Sequence, residues 1–323
     1  FVDAANGRDE NPGSSELPFR SIDRAVSHAN LQTGSGPLTI KMLPGTYILK
    51  DKIVVNPVRM VTDTTRYTIE AAILPDDEEW TPEKMPMVLS ISDINSTTQF
   101  PHSTGFLIAS AHVTIRGLKF MGNPNPAVAY YYPISKEDPK LPDLEVSQCM
   151  FIGDKEAAKI QGGIWAHGPR NKVSHCVFYG CRNAVLFFME VEGFSIDHSI
   201  VYGSYESAFW FGPKDPGFTF TDNIIANNAN VIVGPPDLDY KSPFVNSVIT
   251  GNDGFIGQWS REEQKVLPIP RPKVVERNTQ RKGKVEVREN LGVHLSDDHL
   301  HPTADSAGND LGAGIFMSKK DGQ

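Results

Sequence analysis

Eight-residue segments recur through the middle of this chain, and their spacing constrains the fold more than any other feature. Six of them align without gaps: 115–122 (IRGLKFMG), 146–153 (VSQCMFIG), 173–180 (VSHCVFYG), 196–203 (IDHSIVYG), 220–227 (FTDNIIAN) and 244–251 (FVNSVITG). Their starts lie 31, 27, 23, 24 and 24 residues apart. A propeller blade needs about 40–50 residues, roughly twice this period. A sandwich does not require residues of one type to fall in register from unit to unit. Stacked coils require both features, because no single coil can bury its own apolar side chains.

The columns have physical content. Column one holds Ile115, Val146, Val173, Ile196, Phe220 and Phe244, and column six holds Phe120, Phe151, Phe178, Val201, Ile225 and Ile249. Both read as inward stacks. Column three holds Gly117, Gln148, His175, His198, Asp222 and Asn246. Gly, Asn, Asp and His are enriched at positive φ, so this column predicts a tight bend between two strands. Column eight is Gly in five segments and Asn227 in the other, again a residue choice that suits positive φ. A third β-rich segment follows each repeat: Ile164-Trp165-Ala166, Val185-Leu186-Phe187, Phe209-Trp210-Phe211 and Val231-Ile232-Val233. The expected fold is all-β: a single-stranded parallel β-helix with three short strands per coil. Apolar residues at 19, 22, 25, 26 and 29 predict an amphipathic helix, placed to cap the open end.

The two ends of the chain carry a resemblance. Asn6-Gly7-Arg8-Asp9-Glu10-Asn11-Pro12-Gly13, then Leu17-Pro18-Phe19-Arg20-Ser21-Ile22, Ala25-Val26 and Leu43-Pro44-Gly45-Thr46-Tyr47, resemble the opening of right-handed parallel β-helix proteins of the pectin-lyase-like superfamily. Ser306-Ala307-Gly308-Asn309-Asp310-Leu311-Gly312-Ala313 resembles their closing segment. The resemblance covers about 1–60, 105–255 and 295–316, and implies a secreted or cell-surface protein whose signal peptide is not part of this chain. It is specific for the fold. The superfamily includes lyases, hydrolases, esterases, epimerases and adhesins. One domain is expected over 1–323, with an opening and cap at 1–37, coils at 38–255 and a closing region at 256–323.

Composition excludes several classes. Lys+Arg 31 against Asp+Glu 39 gives a net charge of −8, which argues against a nucleic-acid partner. No apolar run of about 18 residues predicts a membrane span. Cys149, Cys176 and Cys181 show no CxxC or metal-ligand spacing. Column four places Cys149 and Cys176 side by side and inward, and predicts free, buried thiols. Residues 261–290 carry nine Lys/Arg against five Glu, a basic stretch expected to line a groove or to form a solvated loop.

A solenoid carries function on insertions gathered at one face. Here they fall at 75–104, 123–143, 154–162, 212–217, 234–243 and 255–290. They flank the third strand, whose outward residues are expected to be Leu107, Trp165, Leu186, Trp210 and Ile232. Trp165 and Trp210 suit the C–H face of a sugar ring; the competing reading makes them a small core beneath loops 133–143 and 234–243. One rim holds the candidate catalytic residues His167, Arg170, Glu190 and Lys214, beside Glu192 and Asp215. The other holds Lys159, Arg182, Tyr205 and Glu206 as substrate contacts. Glu190 and Glu192 are the candidates for calcium, the expected cofactor if there is one. His175 and His198 are assigned to the bend.

A lyase needs charge neutralisation at a uronate carboxylate, a base at C5 and an acid at the leaving oxygen. A hydrolase needs two carboxylates at set spacing. The Asp-Asp pair and Gly-His-Gly of polygalacturonase-like enzymes are not matched, since Ala166 precedes His167-Gly168. Asp76-Asp77 and Asp297-Asp298 lie outside the repeats. Glu190 and Glu192 are similar to the Glu-rich calcium site of alginate and dermatan lyases, but no Asn-Lys-Ser segment follows. No catalytic residue carries over from a named subfamily. The expectation is a monomeric, extracellular polysaccharide lyase acting on a uronic-acid-containing glycan. A glycoside hydrolase, or a non-catalytic carbohydrate-binding or surface protein, is the alternative.

Overall fold

The computed structural model describes residues 1–212, 217–235, 240–269, 274–289 and 299–317. Three parallel sheets run the length of the coil stack. The first begins with Leu38–Met42 and Tyr67–Ala71 and continues through Ser195–Asp197 to Val274–Arg277; the second runs from Thr46–Leu49 to Val248–Thr250. The third runs from Ile53–Val55 through Ile164–Ala166, Asn183–Phe187 and Ser207–Phe211 to Gly254–Ser260, where Lys265–Pro268 adds an antiparallel edge. Strands that neighbour each other within a sheet come from successive coils, so the architecture is the expected parallel β-helix.

The register matches the sequence columns. Ile115 pairs with Val146, Val146 with Val173, Val173 with Ile196, Ile196 with Phe220, and Phe220 with Phe244. Phe120, Phe151 and Phe178 are fully buried and stacked, with ring centroids 5.1 and 4.7 Å apart. Every column-three residue has positive φ, from 45° at His198 to 73° at Gly117. Column eight divides. Gly180, Gly203, Asn227 and Gly251 are left-handed, whereas Gly122 and Gly153 are not. At those two positions, each followed by an insertion, glycine is required by close approach: a Cβ would lie 1.8 Å from the Ala158 carbonyl oxygen and 2.8 Å from that of Gly180.

All three cysteines are free and buried. The thiols of Cys149 and Cys176 turn to the carbonyls of Ser147 and Ser174, at 3.2 and 3.3 Å, rather than bridging. In the later coils the same column becomes a polar ladder, in which the Ser199 amide donates to Asn223 Oδ1 at 2.9 Å and the Asn223 amide donates to Ser247 Oγ at 3.2 Å.

The capping helix is Ile22–Asn30, starting three residues after Phe19 because Ser21 serves as N-cap and accepts from the Arg24 amide. Ile22, Ala25, Val26 and Ala29 face the stack. The far side is closed differently. Trp80 and Met85 from one insertion, with Val285, Ala313, Ile315 and Phe316 from the closing region, form a second apolar layer over the outer face of the second sheet. Asp76 accepts from the Met317 amide at 3.0 Å and from Gln148 Nε2 at 2.9 Å, which ties this layer to the bend. No helix among the described residues is long and apolar enough to cross a membrane.

Candidate functional site

The outward row of the third sheet is Val54, Leu107, Ser135, Trp165, Leu186, Trp210, Val233 and Gly257. Ile232 was expected in this row and is instead inward, paired with Phe209 and Ile256. With a side-chain period of two, the shift by one residue reverses its face.

Trp165 is outward in register but not open to solvent: it is 2 % exposed. Phe100 stacks on it with centroids 5.9 Å apart and planes 21° apart, and Tyr132, His102 and His167 pack around it at 4.8, 5.3 and 5.6 Å. The cover comes from the hairpin of 95–102, whereas the competing reading placed it in 133–143 and 234–243; of the latter, 236–239 lie outside the described residues. That hairpin is closed by the Ser96–His102 bridge and by Asn95, whose side chain donates to the Thr104 carbonyl at 3.1 Å and accepts from the Thr104 amide at 2.9 Å. The open sugar platform expected at Trp165 is therefore a small aromatic core. Trp210 is half-buried and meets half-buried Trp259, centroids 5.8 Å apart. This pair is the more accessible aromatic surface of the face. Sequence reading missed Trp259, although it stands two residues beyond Gly257 and so keeps the outward parity.

Beneath the hairpin lies a titratable group. Thr98 donates to Glu137 at 2.6 Å, and His102 Nε2 faces the same carboxylate at 3.4 Å. Burial would raise the Glu137 carboxyl, but the facing His102 imidazole and the Thr98 hydrogen bond outweigh it and hold the carboxyl below its ordinary range. His167 is fully buried, and neither ring nitrogen has a partner among the described residues. Burial first, and the Lys136 charge second, push its pKa down to about 4. Lys136 pairs in register with Ala166, which belongs to the core, so it occupies an inward position. Its ammonium donates to the Leu141 carbonyl, and burial pushes its pKa down to about 7. Sequence reading missed Phe100, His102, Lys136 and Glu137. The first two lie in an insertion recognised only as an insertion, and the other two in one treated as a cover.

The remaining candidates divide between the rims. Arg170, Glu190 and Glu192 are exposed in successive turns, where the Arg170 amide donates to the Glu192 carbonyl at 2.8 Å. No ion pair joins Arg170 to either glutamate. Lys214 and Asp215 lie outside the described residues. Calcium takes 6–8 oxygen ligands. Among the described residues, no third carboxylate or imidazole joins Glu190 and Glu192 in a mutually close group. The opposite rim is more tightly built. Arg182 donates to Glu206 at 2.6 Å and to Gln161 at 3.2 Å, while Asn183 donates to the other Glu206 oxygen at 2.8 Å. Burial would lower the Arg182 pKa, but the Glu206 charge raises it further. Tyr205 is half-buried beneath the Lys155 ammonium, 5.7 Å from its ring centre, and burial raises its phenol to about 12.

The basic stretch does not line this face as a unit. Among its described residues, Arg261 and Lys265 fall on the hairpin at the edge of the third sheet, while Arg271 and Lys273 lie outside the described residues. Arg277 belongs to the first sheet, Arg281 sits 3.6 Å over Phe255, and Lys284 pairs with Glu286.

Known structures decide the hand of the coil. The pectin methylesterase from Aspergillus niger in deglycosylated form superposes with a TM-score of 0.55 over 99% of this chain and 97% of its own, at 10% identity. A rhamnogalacturonan lyase superposes with a TM-score of 0.52 over 79% of this chain and 69% of its own, at 11% identity. Both are right-handed parallel β-helices. The chain has a right-handed parallel β-helix fold. At these identities the likeness concerns the fold alone, and on that fold the residues above stand by their own geometry. No protein-family model matches the chain, and no curated protein sequence does.

Proposed function

We propose that this chain is an extracellular polysaccharide-processing enzyme whose glycan lies along the outward face of the third sheet. Within that class we favour a lyase acting on a uronic-acid-containing polymer. The observation that carries the reading is the pairing of an accessible aromatic surface, Trp210 with Trp259, with a built cationic rim, Arg182 held by Glu206 and Gln161. Tryptophan faces suit sugar C–H groups, and a guanidinium suits a carboxylate through paired N–H donors. Two structural neighbours on this fold are described as a pectin methylesterase and a rhamnogalacturonan lyase.

β-Elimination removes the C5 proton, forms the C4–C5 double bond with the released electron pair, and expels the C4 oxygen, which takes up a proton. Arg170 and Arg182 are the cations available to a uronate. His167 is neutral at ordinary pH and of the right type for a base; it is fully buried against Trp165 and Phe188, so it becomes reachable only when its cover moves aside. Hydrolysis fits less well. The Glu137 carboxyl is held ionised, so it does not supply the protonated acid that route requires.

The test is a panel of acidic and neutral polysaccharides, assayed for the ultraviolet absorbance of an unsaturated uronate and for new reducing ends. Both signals together support the lyase. Reducing ends alone would assign a hydrolase, and retention on a polysaccharide with neither signal would assign a binding protein.

A further inference from the structure

The bend between the first and second sheets sets a line of left-handed residues along one edge of the stack: Gly117, Gln148, His175, His198, Asp222, Asn246 and Asn278. The backbone there asks only for tolerance of positive φ, which Gly and Asn supply with least strain. Histidine in two successive coils is more than the bend requires. The two rings stack, with centroids 4.8 Å apart and planes 12° apart. Asp197 ends the strand before His198, its carboxylate 3.2 Å from His198 Nδ1. One donor atom from each of His175, Asp197 and His198 lies within 4.8 Å of the other two. No other group of three His, Cys, Asp or Glu among the described residues does so.

We infer that His175, Asp197 and His198 form a binding site for a divalent transition-metal ion of the zinc type. The site is independent of the glycan reading and lies on a different edge of the stack from the third sheet. Two imidazoles and one carboxylate select zinc, nickel or copper over calcium, which takes oxygen ligands. Bonds of about 2.0–2.1 Å in a tetrahedral site put neighbouring donor atoms about 3.3 Å apart. The Asp197–His198 spacing of 3.2 Å already fits. The near-parallel rings do not aim their lone pairs at one point, so one must turn about its Cβ–Cγ bond. The His198 side chain, 35% exposed, has room to do so.

The surroundings support such a site. His175 Nδ1 lies 3.2 Å from the Gly314 carbonyl, and His198 Nε2 faces Asp222 at 3.8 Å. Metal-bound imidazoles commonly donate their second N–H to a carbonyl or carboxylate, which fixes tautomer and orientation. Asp222 also lines an open cleft of about 580 Å³, which gives an ion an approach from solvent. Three protein ligands leave a fourth position for water or a further ligand. The Gly314 amide donates to the His198 carbonyl at 2.9 Å, so an ion here would also fasten the closing segment to the coils.

The experiment uses the full chain after chelator treatment, titrated with zinc chloride by calorimetry and melted with and without zinc. The expected result is one equivalent bound and a melting point several degrees higher, since a ligand that binds only the folded state stabilises it. His175→Asn and His198→Asn are each expected to weaken zinc binding at least about tenfold, because each removes a ligand. Asn already occupies this column at Asn246 and Asn278, so the bend is kept. Asp197→Asn, outside the bend, is expected to weaken binding likewise and keeps the test valid should a bend variant melt early. Calcium at the same concentration is expected to give no shift. The inference is overturned if the parent binds no zinc, if the double histidine variant binds it as tightly as the parent, or if calcium shifts the melting point equally.

Discussion

Replacing Trp165 and Trp210 one at a time separates a structural aromatic from a surface one. Trp165 is 2 % exposed and touches four aromatic or imidazole rings, at centroid distances of 4.8 to 5.9 Å. Removing a buried Trp side chain to Ala costs about 3–5 kcal/mol. The paired ring contacts push the value up, and partial collapse of the 95–102 hairpin into the space pulls it down. A loss of about 4 kcal/mol is expected. At roughly 1.5 °C per kcal/mol for a chain of this length, this lowers the melting point by about 6 °C. Trp210 is half-buried, packed at the edge of the Tyr132–Trp165–Leu186 cluster and against Trp259, so Trp210→Ala is expected to cost about 1–2 kcal/mol and only a few degrees. Affinity for an acidic oligosaccharide should move the other way: Trp210→Ala weakens it, while Trp165→Ala changes it little at temperatures where the variant is folded. Thermal melts by circular dichroism, with calorimetric titration, read both quantities. The reasoning fails if Trp165→Ala melts within about 2 °C of the parent, or if Trp210→Ala destabilises as much as Trp165→Ala.

Three further outcomes follow from the same packing. Phe151→Ala, between Phe120 and Phe178, should cost about 3–5 kcal/mol; a melting point equal to the parent's would show that the ring stack is not the core. His167 should add an acid-side slope to stability. The unfolded chain takes up a proton at about pH 6.5 and the folded chain only at about pH 4, so stability is full above 6.5 and falls by up to roughly 3 kcal/mol as pH drops towards 4. Denaturation midpoints across that range should flatten in His167→Gln, and an unchanged slope would remove His167 as the cause. The three cysteines should resist alkylation in the folded protein and all react after denaturation, with mass spectrometry finding no Cys149–Cys176 bridge.

Most of the fold was legible because a stacked coil repeats its own constraints. The inward phenylalanines, the left-handed bend and the parallel cysteines each recur in a column, so one alignment places them all. The face that carries the candidate site was less legible, for two reasons. Period-two strands tolerate no counting error, and the loop between Trp210 and the next coil displaced Ile232 by one residue. The burial of Trp165 depends on Phe100, which is distant in sequence and sits in an insertion with no repeat to betray its position. Glu137 and His102 likewise meet only through tertiary packing. Arg182, Tyr205 and Glu206 could be named together from the sequence because they sit beside the repeats themselves, and Arg182 and Glu206 do pair.

The most direct test of the central claim is a crystal structure of the chain soaked with an acidic oligosaccharide. The account predicts sugar density along the outward face of the third sheet, with a ring against Trp210 or Trp259 and a carboxylate within hydrogen-bond distance of Arg182 or Arg170. Density on another face, with the third sheet bare, would contradict it.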